Sequence, residues 1–237
     1  MKIVLFVYDF PHKKSLKGMQ LLKSQGIRDV FVVASPKIEL KFRQSTTRVS
    51  VIENEIIEPI DLSKEYSWEY LVANHNSELA INYFKKIKPT IGIILGARIL
   101  SKNVIENFSK GIINFHPGVL PENRGLDNLK WAIYNNLPQG VTTHFIDENI
   151  DVGFEIYKEL IEIDGDDTLF DVNSKLFDLQ IQHLSNLISN GFNVGKLKPL
   201  DSNYNSQKAV SDEIDKKVFL LFENYKKQYA DIVKNYS

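Results

Sequence analysis

Four apolar runs constrain this chain more than any other feature: IVLFVY at 3–8, VFVVA at 30–34, IGIILGA at 91–97 and GIINFH at 111–116. They are continuous rather than alternating, and rich in β-branched residues. That is the pattern of strands covered on both faces. Helical patterns fall between them. One runs from about Ser15 to Gln25 and is closed by Gly26; a second starts at Asn76 or Ser77 and is stopped by Pro89; a short third spans Ser101 to Phe108. Strand–helix alternation of this kind implies a parallel sheet with helices on both faces. Residues 36–75 are weakly patterned, with only short alternating pieces such as VSVIENEII.

The second half reads differently. LDNLKWAIYNN at 126–136 is helical, and GVTTHFIDE at 140–148 and FEIYKELIEI at 154–163 are strands in quick succession. Strands that close together pair antiparallel. Thr168 to Asn190 is a long amphipathic helix closed by Gly191, with Val172, Leu176, Leu179, Leu184 and Leu187 on its apolar face. Residues 192–212 are polar and irregular, and a last helix is expected from Val218 to Ile232. These patterns divide the chain into a main domain at 1–191 and a small C-terminal extension, ending in a helix, at 192–237.

Composition excludes several classes. The 237 residues are 43% hydrophobic and 25% charged, enough for a real core. A formal net charge of −1 lacks the basic excess of a dedicated nucleic-acid binder. The chain has no cysteine, hence neither disulfides nor thiolate chemistry, which suits the cytoplasm. The N-terminal MKIVLFVYDF lacks the shape of a signal peptide, and no apolar stretch is long enough to span a bilayer.

The chemistry concentrates where GIINFH breaks into PGVLPENRG. In an open parallel sheet, ligands gather at the carboxyl ends of the strands. Asn114 and His116, two apart on an extended segment, project to the same side there. An amide can donate to a developing oxyanion and an imidazole can move a proton near neutral pH, which together suit a reaction at a carbonyl. The spacing fits equally an Asn that caps the turn and a His packed beneath it. A loop with Asp147, Glu148 and Asp151 follows the strand at 140–148. One carboxylate turned toward the imidazole would complete the set, and spacing does not choose between Asp147 and Asp151. His144 and Glu148 match no familiar metal spacing, and no metal site is expected. The first loop, YDFPHKKS, has no Gly-rich phosphate cradle, and its His12, Lys13 and Lys14 read as an exposed basic turn. Arg124 reads as a surface or anion-facing residue, His75 and His183 as surface or packing residues, and Trp68 and Trp131 as partial-core aromatics.

NFHPGVLPENRG, GVTTHFIDENIDVG and GARIL at 96–100, in that combination and order, resemble the signatures of the folate-dependent formyltransferases. The likeness covers about residues 85–165 well. It implies a Rossmann-like formyltransferase fold, an α/β sheet mostly parallel with an antiparallel portion and a short C-terminal appendage. It places the catalytic residues on Asn114, His116 and Asp151, and so selects Asp151 over Asp147. It places the folate pocket on Arg98, Ile99 and Leu100, with Val104, Ile112 and Ile146 as apolar walls and Asp147 beside the pterin. It also implies a cis Leu120–Pro121 peptide and 10-formyltetrahydrofolate as formyl donor, without a metal. The missing Gly-rich loop departs from the glycinamide ribonucleotide formyltransferases. Only about fifty residues follow the long helix, fewer than the usual size of a self-sufficient domain, whereas the tRNA enzymes carry a larger C-terminal domain. YNSQKAVSDEID at 204–215 is similar to the segment that follows the core in the sugar and tRNA enzymes. The expectation is therefore a sugar N-formyltransferase acting on a nucleotide-linked amino sugar as a homodimer. The alternatives are a glycinamide ribonucleotide formyltransferase, a formyltetrahydrofolate hydrolase and a non-catalytic folate-binding homologue.

Overall fold

Ile3–Tyr8 forms β1, wholly apolar up to its last residue and buried almost throughout, as a central strand must be. The computed structural model describes residues 1–37, 57–149 and 151–236; VSVIENEII falls almost wholly outside them. Eight strands make one sheet among these residues: β1, β2 (Val30–Ser35), β3 (Glu69–Val72), β4 (Ile91–Ile94), β5 (Ile112–His116), β6 (Gly140–Phe145), β7 (Phe154–Leu160) and β8 (Lys198–Pro199). Their order is β3-β2-β1-β4-β5-β6-β7-β8. The first five lie parallel, and β6, β7 and β8 are antiparallel to their neighbours. The chain turns back from one half of the sheet to the other between β1 and β4, so the switch-point crevice opens beyond these strands.

Helices α1 (Lys13–Ser24), α2 (Pro59–Tyr66), α3 (Glu78–Ile87), α4 (Lys102–Ile105), α5 (Asn128–Asn135), α6 (Leu169–Ser189) and α7 (Asp212–Tyr236) cover it. Met19 and Leu22 of α1 and Leu184, Leu187 and Ile188 of α6 pack with Leu5, Val32, Ile93 and Phe115 on one face. Ala80, Phe84 and Ile87 of α3 and Val104 of α4 pack with Val4, Phe6 and Ile112 on the other. Ser77 caps α3, its hydroxyl accepting the Ala80 N–H, and Thr168 and Asp171 form a capping box at the start of α6.

Three elements were not expected, one of them the two-residue β8 inside the stretch at 192–212 that reads as irregular. α2, with Pro59 in its first turn, and the four-residue β3 occupy the stretch that is weakly patterned in sequence. β3 is an edge strand with two residues exposed and two half-buried, so no period marks it. The short third helix is trimmed to α4, and the last helix is longer than expected. Asp215, near the start of α7, forms a buried ion pair with Lys130 of α5. Val218, Phe222, Tyr225 and Tyr229 then bury against Ile133, Val141 and Leu176.

Candidate active site

β5 outruns β4 toward the carboxyl edge of the sheet, and its register against β6 builds the site. Asn114 stands opposite His144 and His116 opposite Thr142. These four belong to one side of the β5–β6 ladder, because side chains two apart on a strand share a face. Thr142 pins the loop after β5: its hydroxyl donates to the Gly118 carbonyl at 2.9 Å and accepts the Leu120 N–H at 3.0 Å. The Leu120–Pro121 peptide is cis. At Gly118 a Cβ would come within 2.8 Å of His116 Nε2 and 2.7 Å of the Asn123 carbonyl oxygen. The loop can close on the imidazole only where there is no side chain.

His116 is buried, and both its ring nitrogens face oxygen. Nε2 lies 2.8 Å from the Asn123 carbonyl and Nδ1 3.2 Å from an Asp151 carboxylate oxygen. The second Asp151 oxygen accepts the Gly125 N–H at 2.8 Å. Burial disfavours the Asp151 carboxylate, but the His116 charge and hydrogen bond and the Gly125 N–H outweigh it. The carboxyl is held down at about 2.

His144 was not singled out for this role in the sequence. Burial first, and then the nearby His116, push its pKa down to about 4, so it is neutral near pH 7. Its Nδ1 donates to the Val152 carbonyl at 3.1 Å. Nε2 is thereby left an acceptor, 3.4 Å from the Asn114 amide nitrogen. One Asn114 N–H is thus aimed at His144 and the other remains for a ligand. The signal was a His directly across the ladder from Asn114, which is visible only once β5 and β6 are known to pair.

The YDFPHKKS loop is not an exposed basic turn. His12 and Lys14 are half-buried beside the crevice, and Lys14 donates to the Phe115 carbonyl at 3.0 Å, between Asn114 and His116. Burial lowers its ammonium to about 7. Among the described residues no carboxylate lies within ion-pair distance of it. Burial and the Lys14 charge bring His12 down to about 4. Arg124 is likewise buried rather than on the surface, at 6% exposure, and its guanidinium donates to the Ser202 and Tyr204 carbonyls. His75 and His183 are packing residues, and Trp68 is buried.

The residues expected to line a folate pocket divide. Leu100, Val104 and Ile112 are buried in one apolar cluster with Ile146 packed against it. Arg98 and Ile99 are exposed, Ile99 at 60%. The Asp147 side chain accepts the Asn149 N–H at 2.7 Å as a turn former; Asp151, not Asp147, meets His116. Among the described residues no group of three His, Asp or Glu is placed to hold a metal, and no helix is long and apolar enough to cross a membrane.

Fold and site define a Rossmann-like α/β protein with groups suited to acid–base chemistry at a carbonyl. The formyl transferase family model matches residues 1–188, and the chain belongs to that family. The methionyl-tRNA formyltransferase of Clostridium tetani is 31% identical over 133 residues, 54% of this chain and 43% of that protein. That of Flavobacterium psychrophilum is 35% identical over 107 residues, 45% of this chain and 34% of that protein. The chain therefore spans less than half the length of these curated relatives. Among solved structures, a sugar N-formyltransferase from Shewanella sp. superposes with a TM-score of 0.59 at 22% identity, covering 91% of this chain and 86% of that one. The phosphoribosylglycinamide formyltransferase of Bacillus halodurans gives 0.59 at 20%, covering 80% and 97%. The Helicobacter canadensis N-formyltransferase, in complex with folinic acid and dTDP-3-aminofucose, gives 0.62 at 17%, covering 89% and 72%.

Proposed function

We propose that the protein transfers a formyl group from 10-formyltetrahydrofolate to the primary amine of a nucleotide-linked amino sugar. The observation that carries the reading is Asn114 and His116 on one side of the β5–β6 ladder, with Asp151 reaching the His116 ring from the loop after β6 and Asn114 aimed by a neutral His144. In this reading Leu100, Val104, Ile112 and Ile146, which share one apolar cluster, supply the apolar wall for the folate ring system, with Arg98, Ile99 and Asp147 beside it. The sugar N-formyltransferases among the structural neighbours support this acceptor class.

The residues would act as follows. Asn114 donates its free N–H to the oxygen of the tetrahedral carbon that forms as the amine attacks, where one such donor contributes on the order of a hundred-fold in rate or more. His116 offers its Nε2 proton to the same oxygen, which competes with the Asn123 carbonyl for it. Asp151 holds the imidazolium through Nδ1 and aims the ring. With a water it relays the amine's proton to the leaving nitrogen. An ionised amine has no lone pair, so proton loss precedes attack. The reading includes a homodimer in the cytoplasm; Phe219, Leu220 and Leu221 on the outer side of α7 are exposed and available to a second copy.

The test is a formylation assay with 10-formyltetrahydrofolate against a panel of nucleotide-linked amino sugars and glycinamide ribonucleotide. Turnover of an amino sugar supports the proposal. Turnover of glycinamide ribonucleotide alone moves the acceptor class, and folate hydrolysis or folate binding without transfer rejects it.

A further inference from the structure

Residues 202–207 follow the strands and helices that build the site, yet they lie against its loop. The Arg124 guanidinium reaches across to the Ser202 carbonyl at 3.2 Å and the Tyr204 carbonyl at 2.6 Å. The Gln207 N–H donates to the Arg124 carbonyl at 2.8 Å, and the Leu126 N–H donates to the Gln207 carbonyl at 3.0 Å. Gln207 thus pairs in parallel with Gly125, the residue between those two. Gly125 has a φ of +100°, and a Cβ there would overlap the Gln207 backbone. The Gly125 N–H is the donor that holds the second oxygen of Asp151. The segment is also anchored downstream. The Val210 N–H donates to Asp127 at 3.0 Å, the Trp131 indole to the Lys208 carbonyl at 2.7 Å, and α7 then docks through Asp215 on Lys130.

We infer that residues 202–207, clamped by Arg124, are a positioning element for the reaction: they fix the Gly125 N–H that aims Asp151, and through Asp151 the His116 ring. A buried Arg that donates to two backbone carbonyls of one distant segment is a costly choice for mere packing, because a guanidinium demands strong partners when desolvated. Here it ties a segment distant in sequence to one hydrogen bond in the catalytic set. Because Gly125 contributes to keeping the Asp151 carboxyl low, loosening the clamp has a consequence specific to that carboxyl.

This inference rests on the proposed formyl transfer for its kinetic half only, so two readouts are paired. The first uses the protein without substrates: Asp151 carboxyl titration by 13C NMR in wild type, Arg124→Ala and Arg124→Lys. We expect the titration to move upward in Arg124→Ala, with Arg124→Lys between it and wild type. The second is kinetics with whichever acceptor the wild type turns over. The Arg124→Ala variant should lose ten-fold or more in kcat on the scale of a displaced catalytic group, with the folate KM little changed and the acid limb of its kcat–pH profile moved upward. Added guanidinium should restore part of the rate. An Asp151 titration unchanged in folded Arg124→Ala overturns the inference whatever the substrate. So does a kcat loss with neither an altered acid limb nor rescue. A wild type that turns over no acceptor would count against the formyl-transfer reading alone, because the titration still decides the clamp.

Discussion

Replacing Tyr229 with Phe tests whether α7 is an integral part of the fold. Tyr229 is buried on the inner side of α7, and its hydroxyl accepts the Gln139 N–H at 3.0 Å and lies 3.1 and 3.0 Å from the Gln139 and Ile161 carbonyls. These groups flank the start of β6 and the end of β7, so one hydroxyl ties the last helix to the antiparallel half of the sheet. Phe keeps the ring packing and leaves the Gln139 N–H buried without an acceptor. An orphaned buried donor costs about 1–3 kcal/mol and the lost donated bond about 1 more, or roughly 2–4 kcal/mol together. For a chain of this length each kcal/mol is about 2–4 °C in Tm, so the melting point should fall by roughly 5–15 °C. Tyr225→Phe is the control. The Tyr225 hydroxyl donates to the Leu137 carbonyl at 2.6 Å and orphans no backbone donor when removed, so its loss should cost about 0.5–1.5 kcal/mol. Thermal melts and urea titrations of both variants decide the matter. A Tyr229→Phe protein as stable as wild type, or no less stable than Tyr225→Phe, would refute the reasoning.

Leu100→Asp should weaken folate binding measured by fluorescence titration, because it puts a carboxylate into the apolar cluster around Val104 and Ile112; unchanged folate affinity with lost acceptor affinity would reverse the pocket assignment. Asp151, held at about 2 against an ordinary 3.8, contributes stability that is present above about pH 4 and lost as pH falls toward 2. The stability difference between wild type and Asp151→Asn in urea unfolding should therefore shrink over that window. Lys14, lowered to about 7, binds its proton less readily folded than unfolded, so its contribution to stability rises with pH from about 7 to about 10.5. Lys14→Met should flatten that rise in unfolding free energy measured across the same pH range.

The parallel sheet was legible because β1, β2, β4 and β5 are buried on both faces, and a short continuous apolar run bounded by turn residues suits a doubly covered strand better than any surface element. β3 was not, since an exposed four-residue edge strand needs no apolar pattern. The start of α7 was missed for a related reason. Its first turn is acidic and polar, and what holds it is Asp215 on Lys130, a pairing between residues 85 apart in sequence. In the candidate site, the spacing of Asn114 and His116 at a strand end suits carbonyl chemistry and equally a capping Asn with a packed His, so spacing alone left their role open. Asp151 required a likeness to a family, because it reaches His116 from a loop at a φ of +49° that no periodicity predicts. Lys14 and Arg124 looked like surface cations because each donates to backbone carbonyls, and a carbonyl leaves no mark in the sequence.

The central claim is that His116 and Asp151 work together on a formyl group, with Asp147 outside the proton path. The most direct measurement is single-turnover release of tetrahydrofolate in the presence of acceptor, compared among wild type, Asp147→Asn, Asp151→Asn, His116→Asn and the His116→Asn/Asp151→Asn double variant. Asp147→Asn should keep near-normal turnover, and Asp151→Asn and His116→Asn should keep almost none, with folate still bound. The double variant should be scarcely worse than the worse single one, since groups that act as a unit are non-additive. Turnover abolished by Asp147→Asn and retained by Asp151→Asn would contradict the claim.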